Sequence, residues 1–477
     1  MQSKYYKFAL FKKNTLALIK SISGIRGTIG GKPDEGLTPI DILKYSAAFG
    51  KWVIEQTNNP TIVIGRDGRI SGEMVRNIIV STLQSIGIHV IDLGLTTTPT
   101  VEMAVTMEKA GGGIIITASH NPKEWNALKL LNSAGEFISG ADGEQVLKMG
   151  NSLDFNFVDI NKLGTITLND TYLQKHIDCI LAHPLVDIKA IALKKFKIVV
   201  DGINSTGATY VPFLLKALGV EDIEVINAEV NGKFAHNPEP LPDNLLEISN
   251  TVIKQKADLG IVVDPDVDRL CFVCDDGSMF GEEYTLVSIA DYVLSHKKGN
   301  TVSNMSSTRA LKDITLKHGG EYFASAVGEV NVVTKMKAVQ AVIGGEGNGG
   351  IIVPELHYGR DALIGIALFL SHLAKYGKSI TELRRTYPNY YMSKNKIELH
   401  AEVNIQKIFA GIKDIYKKQP INTEDGLKIE FDNEWVHLRT SNTEPIIRIY
   451  TESTSEITAD NIAKKIMMDI RELMKMQ

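Results

Sequence analysis

Cysteine is scarce in this 477-residue chain: Cys179, Cys271 and Cys274 are the only three. So few thiols rule out a disulfide scaffold and suit a reducing cytoplasm. Cys271 and Cys274 form a C-x-x-C, but inside the apolar run Leu270-Cys271-Phe272-Val273-Cys274, which reads as a strand with buried thiols rather than a redox or zinc pair. No apolar run reaches the roughly 18–20 residues of a membrane span. The first 20 residues are basic and partly apolar, but Lys12 and Lys13 interrupt them and no small-residue cleavage site follows, so they read as an extension leading into the first strand. Excess charge is missing too: a net charge of −4 offers nucleic acid no general attraction, although a local group of Arg and Lys can still hold a small anion. Long Pro/Ser linkers and low-complexity segments are also absent, so the domains are expected to pack closely. The apolar share of 44% and charged share of 23% are those of an ordinary globular protein. The length exceeds one hydrophobic core and predicts about three or four domains at roughly 100–200 residues each.

Short β-branched runs alternate with amphipathic stretches, the pattern of βαβ units, and the order recurs three times. Strands are predicted at Thr61–Ile64, Ile88–Leu93 and Gly113–Ile116; at Lys197–Val200, Ile223–Ile226 and Leu259–Val263; and at Asn300–Val302, Glu321–Ala324 and Ala341–Ile343. Each series runs into an unusual loop: TASHNP at 117–122, DPDVDR at 264–269 and GGEGNGG at 344–350. Parallel α/β sheets gather ligands at the carboxyl ends of their strands, so three equivalent loops can converge on one site. After about Thr386 the texture changes to scattered strands, RTSNTEPIIRIY and a final amphipathic helix from about Ala459. The expected units are 1–165, 166–277, 278–387 and 388–477: three successive similar α/β domains with mixed sheets and a smaller C-terminal α+β domain, around a central cleft. The boundary between the second and third is the least marked.

In the first loop Asn121 and Pro122 are a favoured helix N-cap and first helical residue, which predicts a helix beginning there. Ser119 would then sit where free N–H groups and the helix dipole stabilise an anion; taken alone, S-x-N-P reads first as plain capping. In the second loop Asp264, Asp266 and Asp268 follow the apolar strand Ile261-Val262-Val263. Alternate carboxylates converge only if the backbone leaves the strand and loops, and a hard cation such as Mg²⁺ gives them reason to; a solvated acidic turn is the weaker reading. Arg269 either meets a phosphate oxygen or holds the acids in place. In the third loop glycines permit positive φ, and Glu346 and Asn348 are placed to bind sugar hydroxyls, although a tight turn alone would explain it. Arg439-Thr440-Ser441-Asn442-Thr443-Glu444-Pro445, with Arg448 beyond, combines cations, hydroxyls and turn N–H groups as a phosphate cradle does; a polar hairpin turn is the equal alternative.

The four motifs in this order resemble those of the α-D-phosphohexomutases. The resemblance runs from Ser21-Ile22-Ser23-Gly24-Ile25-Arg26-Gly27 to the C-terminus and includes GRDGR at 65–69, HNPEPLP at 236–242 and VGEVNVV at 327–333. It implies that Ser119 is the phosphorylated carrier, and that Asp264, Asp266 and Asp268 bind Mg²⁺ together with the Ser119 phosphate. Arg26, Lys129 and His120 would move protons or stabilise charge. Glu346 and Asn348 would hold the sugar, while Arg269, Arg439, Ser441, Asn442, Thr443 and Arg448 would grip phosphate. Many members end the sugar loop in a histidine where this chain has Gly350, so that role does not carry over, and nothing in the sequence gives it to the nearby His357.

The expected reaction interconverts sugar 6-phosphate and sugar 1-phosphate through a 1,6-bisphosphate, with hexose 1,6-bisphosphate as activator and no nucleic-acid or membrane partner. The bisphosphate must turn over in the cleft, which predicts that the phosphate cradle lies on a separate domain. Glucosamine phosphate comes narrowly first, because the glycine-rich loop leaves room for a 2-amino group; a dual phosphoglucomutase/phosphomannomutase follows. The remaining readings are a phosphatase-like or bisphosphate-releasing relative and a non-catalytic sugar-phosphate-binding protein. The chain is expected to act as a monomer or homodimer.

Overall fold

A computed structural model describes residues 16–21, 24–400, 403–440 and 446–475. Residues 1–15 of the basic lead-in, Ile22, Ser23 and the cradle residues Ser441, Asn442 and Thr443 lie outside the described residues.

The first unit has a seven-stranded sheet of β1 (Leu18–Ser21), β2 (Gly24–Thr28), β3 (Thr61–Arg66), β4 (His89–Leu95), β5 (Gly112–Ile116), β6 (Trp125–Leu131) and β7 (Ile166–Leu168), ordered β1-β2-β6-β5-β3-β4-β7. β7 carries this sheet just past residue 165. The second sheet takes β8 (Lys197–Asp201), β9 (Asp222–Ile226), β10 (Leu259–Val263) and β11 (Leu270–Cys274) in the order β11-β10-β8-β9. The third takes β12 (Asn300–Asn304), β13 (Tyr322–Ser325), β14 (Ala341–Glu346) and β15 (Gly350–Ile352) in the order β13-β12-β14-β15. All nine expected strands are present, each displaced by no more than a few residues.

The three sheets share one motif. Three parallel strands are joined by crossover helices, and the last of them returns as an antiparallel neighbour: β5 to β6, β10 to β11 and β14 to β15. Residues such as Ile114, Ile115 and Ile116 are buried on both faces of the sheet, which accounts for the unbroken apolar runs. Each unusual loop is therefore a hairpin at the carboxyl end of a central strand. The helix expected at Asn121-Pro122 does not form: TASHNP turns through residues 120–124 directly into β6. The Asn-Pro signal is local, whereas pairing of β6 with β5 and β2 is tertiary and overrides it.

The fourth unit is an antiparallel sheet of β16 (Tyr391–Glu398), β17 (Ile421–Asn422), β18 (Leu427–Glu430), β19 (Trp435–Thr440) and β20 (Ile446–Ser453), ordered β16-β20-β19-β18-β17. The helices Ile405–Ile415 and Glu456–Lys475 cover it and close a core of its own. The second and third units instead share one continuous core, with Phe272 stacked on Phe369 at 3.8 Å between ring centroids. That sharing accounts for the poorly marked boundary between them. Among the described residues no helix is long and apolar enough to cross a membrane.

Candidate active site

A cavity of about 750 Å³ lies where the four units meet. Arg26 and His120 reach it from the first unit, Glu239 and Arg269 from the second, Glu283, Glu346, Asn348 and Arg360 from the third, and Arg439 and Arg448 from the fourth.

The serine loop is shaped from below. Arg69 is 2% exposed and its guanidinium donates to the carbonyls of Ser119 (2.5 Å), Asn121 (2.7 Å), Pro122 (2.7 Å) and Trp125 (2.9 Å). Its Nε pairs with Asp67 Oδ2 at 3.0 Å, and Asp67 accepts from Thr117 Oγ1 at 2.6 Å. Ser119 is thereby held at φ +47°, a left-handed conformation uncommon outside glycine. Its Oγ donates to Asp264 Oδ2 at 2.5 Å and lies 3.4 Å from His120 Nδ1.

The second hairpin folds back on Asp264, whose Oδ1 accepts from the N–H groups of Asp268 (3.1 Å) and Arg269 (3.0 Å), with Val267 at φ +62°. One carboxylate oxygen from each of Asp264, Asp266 and Asp268 lies within 4.8 Å of the others, and all three residues are buried. Lys129, on β6, places Nζ 2.7 Å from Asp266 Oδ2 and 3.3 Å from Asp268 Oδ2. Thr98 Oγ1 also donates to Asp266 Oδ2, at 2.6 Å.

The acids are frustrated without a cation. Burial, then the neighbouring Asp268 and Asp266, hold the Asp264 carboxyl well above the usual range. Burial alone would raise Asp268 too, but Arg360, Lys129 and Arg269 draw it below. Oδ1 of Asp266 and Oδ1 of Asp268 are buried without a hydrogen-bond partner among the described residues. Unpaired buried carboxylate oxygens at one point are what a divalent cation satisfies, so the donor set fits a hard metal ion.

The cations around the serine differ in kind. Burial would lower Lys129, but Asp266 and Asp268 hold it above its ordinary value, so it stays charged. Burial, then Arg269 and Arg26, push His120 well below its ordinary value, so its imidazole is neutral at pH 7. Burial and Arg269 also lower Arg26, whose Nη1 donates to Asn121 Oδ1 at 3.0 Å.

The phosphoglucomutase/phosphomannomutase alpha/beta/alpha domains I, II and III match residues 18–156, 174–277 and 281–390, and the C-terminal domain of that family matches 398–468. A phosphoglucomutase/phosphomannomutase of Thermococcus kodakarensis is 37% identical over 437 residues, covering 90% of this chain and 94% of the relative. The chain belongs to this family. It is a phosphohexomutase, an enzyme of the isomerase class. A phosphoglucosamine/phosphogalactosamine mutase of Sulfurisphaera tokodaii is 33% identical, with 93% of this chain and 97% of the relative covered. The structure of a phosphoglucomutase/phosphomannomutase family protein from Burkholderia thailandensis superposes with a TM-score of 0.83 at 26% identity, covering 94% and 96% of the two chains.

Within this phosphohexomutase the sugar loop brings Glu346 and Asn348 to the cleft. Glu346 Oε1 accepts from Asn304 Nδ2 at 2.8 Å and from the N–H of Gly328 at 3.0 Å, while Oε2 pairs with Arg360 at 2.7 Å. Arg439 pairs with Asp425 at 2.7 Å and, with Arg448, forms the fourth unit's wall.

Three residues lining the cleft were not singled out by the sequence motifs. Arg360 is the first: it pairs with Asp268 (2.6 Å), Glu346 (2.7 Å) and Glu329 (3.0 Å). A Cβ placed on Gly350 would lie 2.3 Å from Arg360 Cδ. The arginine thus fills the space beside Gly350, and the glycine was the available signal. His357 does not line the cleft; it packs between Glu102 and Asp361. Glu239, inside HNPEPLP, is the second, 3.4 Å from Arg269. Glu283 is the third. Its Oε2 lies 1.9 Å from where a Cβ at Gly347 would be, so any side chain there would have to displace the carboxylate, and burial pushes that carboxyl up to about 8.

Proposed function

We propose that this phosphohexomutase interconverts glucosamine 6-phosphate and glucosamine 1-phosphate through phosphorylated Ser119 and a 1,6-bisphosphate intermediate. Glu283 is the observation that carries the choice of sugar. A carboxyl on the cleft wall, against the sugar loop and held up near 8 by burial, is matched to a substrate ammonium, which would draw it back to the charged form. A sugar with a 2-hydroxyl offers it no charge.

In the first half-reaction the free sugar hydroxyl attacks the phosphorus on Ser119, and the bond from phosphorus to Ser119 Oγ breaks. Neutral His120 takes the hydroxyl proton and passes it to Ser119 Oγ, 3.4 Å away. Lys129 and Arg26 stay charged and offset the charge gathering on the equatorial oxygens. Asp264, Asp266 and Asp268, with the Ser119 phosphoryl group, would hold a magnesium ion, which would supply further charge neutralisation. Arg439, Ser441, Asn442, Thr443 and Arg448 grip the phosphate that is not transferred. The bisphosphate then turns end for end and returns its other phosphate to Ser119, so hexose 1,6-bisphosphate also primes unphosphorylated enzyme. The three free cysteines suit a cytoplasmic enzyme.

A dual phosphoglucomutase/phosphomannomutase is the second reading, favoured by the name of the Thermococcus kodakarensis relative. ³¹P NMR with Mg²⁺ and a trace of hexose 1,6-bisphosphate separates the two when glucosamine, glucose and mannose 6-phosphates are offered in turn. The 1-phosphate signal is expected to grow fastest from glucosamine 6-phosphate. Glu283→Gln should lower kcat/KM for that sugar about tenfold relative to glucose 6-phosphate, the worth of one hydrogen bond to a charged group. Faster glucose or mannose conversion selects the second reading, and no 1-phosphate from any sugar with Ser119 phosphorylated rejects both.

A further inference from the structure

Away from the cleft, segments far apart in sequence bring two imidazoles and a carboxylate to one point. His176 comes from the helix Tyr172–Ala182, His357 from the turn after β15, and Asp361 from the N-cap of the helix Ala362–Tyr376. One ligand atom from each lies within 4.8 Å of the others, and His176 and Asp361 are fully buried. Asp361 Oδ2 stands 2.9 Å from His176 Nε2 and 3.3 Å from His357 Nε2. Ligands around a tetrahedral zinc ion, with bonds of about 2.0–2.1 Å, are separated by about 3.3 Å.

The outward atoms of all three are oriented as metal ligands are. His176 Nδ1 is 2.9 Å from Thr100 Oγ1, and His357 Nδ1 is 3.3 Å from Glu102 Oε2. Both partners belong to the helix Thr98–Met107. Asp361 Oδ1 accepts from the N–H groups of Leu363 and Ile364, which leaves Oδ2 for the imidazoles. An outer nitrogen set on a hydroxyl or carboxylate, with the inner nitrogen aimed at a shared point, fixes the tautomer that ligation needs. Glu102 is itself 1% exposed, and its charged neighbour is the His357 imidazole at 3.3 Å. So buried an acid calls for compensating positive charge nearby.

We propose that His176, His357 and Asp361 form a second divalent-cation site, selective for zinc over magnesium, that ties the second unit to the third against a helix of the first. Two imidazole nitrogens favour zinc, whereas the all-oxygen aspartate loop suits magnesium. Water takes the fourth place on the side where the His357 side chain keeps 12% of its surface. The site shares no residue with the Ser119 centre and does not depend on which sugar is turned over.

Full-length protein equilibrated with zinc in a large excess of Mg²⁺, then freed of unbound metal, is assayed by mass spectrometry for metal content and by thermal unfolding. One zinc ion per chain is expected, with a rise in Tm on zinc that Mg²⁺ alone does not give. The double variant His176→Gln/His357→Gln should lose the zinc and the Tm rise together. Equal zinc in variant and parent would place the metal in the aspartate loop and overturn the proposal. Should the variant fail to fold, Co²⁺ added to the unaltered protein decides: visible absorption of four-coordinate cobalt, displaced by zinc but not by Mg²⁺, supports the site. A colourless, zinc-free protein rejects it.

Discussion

Arg69 and Arg360 are both buried guanidiniums serving the same cleft, and they do opposite things. Arg69 spends its donors on four backbone carbonyls and so sets the path of the serine loop. Arg360 spends its donors on three carboxylates from separate segments and so sets the charge of the floor. Burial alone would lower Arg360, but Asp268, Glu329 and Glu346 hold it well above its ordinary value. The same side chain thus acts as a template in one hairpin and as a counter-ion in another. The difference lies in what surrounds it, four carbonyls and one acid about Arg69, three acids from two units about Arg360.

The contrast is sharpest at Arg69. Arg69→Ala leaves Asp67 buried without its partner and four carbonyls unmet, and should cost about 3–5 kcal/mol of stability by denaturant unfolding. Arg69→Lys should recover little, since one ammonium cannot span four carbonyls. A loss below about 1 kcal/mol in either variant would mean that the loop holds its own shape. Arg360→Gln should act on charge. Without its guanidinium the half-saturating Mg²⁺ concentration should fall and the KM for sugar phosphate should rise, each by roughly tenfold. Mg²⁺ response and KM moving in the same direction would make Arg360 a second template.

Glu283 answers to pH rather than to truncation. Its folded pKa of about 8 lies above the ordinary 4.5, so the folded state holds a proton that the unfolded state releases in that window. Its contribution is therefore present below about 4.5 and is lost as pH rises toward 8. Tm should fall with pH across that window more steeply in the parent protein than in Glu283→Gln. Parallel profiles would show that Glu283 ionises freely.

The repeated α/β plan was legible because β-branched runs such as Ile114-Ile115-Ile116 announce buried parallel strands locally. The aspartate loop was legible for a similar reason: three acids directly after a buried strand need a purpose. The hairpin return at β6 was not, since Asn121-Pro122 carries a helix signal that pairing across the sheet overrules. Arg360 was hidden further still. Its partners come from residues 268, 329 and 346, and no spacing in the chain brings them together. Glu283 is equally silent in sequence, because its raised pKa belongs to the wall that buries it.

The continuous core beneath the second and third units sets what can be exchanged between relatives. Phe272 lies on one side of the expected join and Phe369 on the other, so a graft of the third unit alone would cut through a stacked aromatic pair. A chimera that imports another sugar preference must carry residues 172–387 as one cassette and leave β7 with the first sheet, whereas the fourth unit, closed around its own core, can be traded by itself.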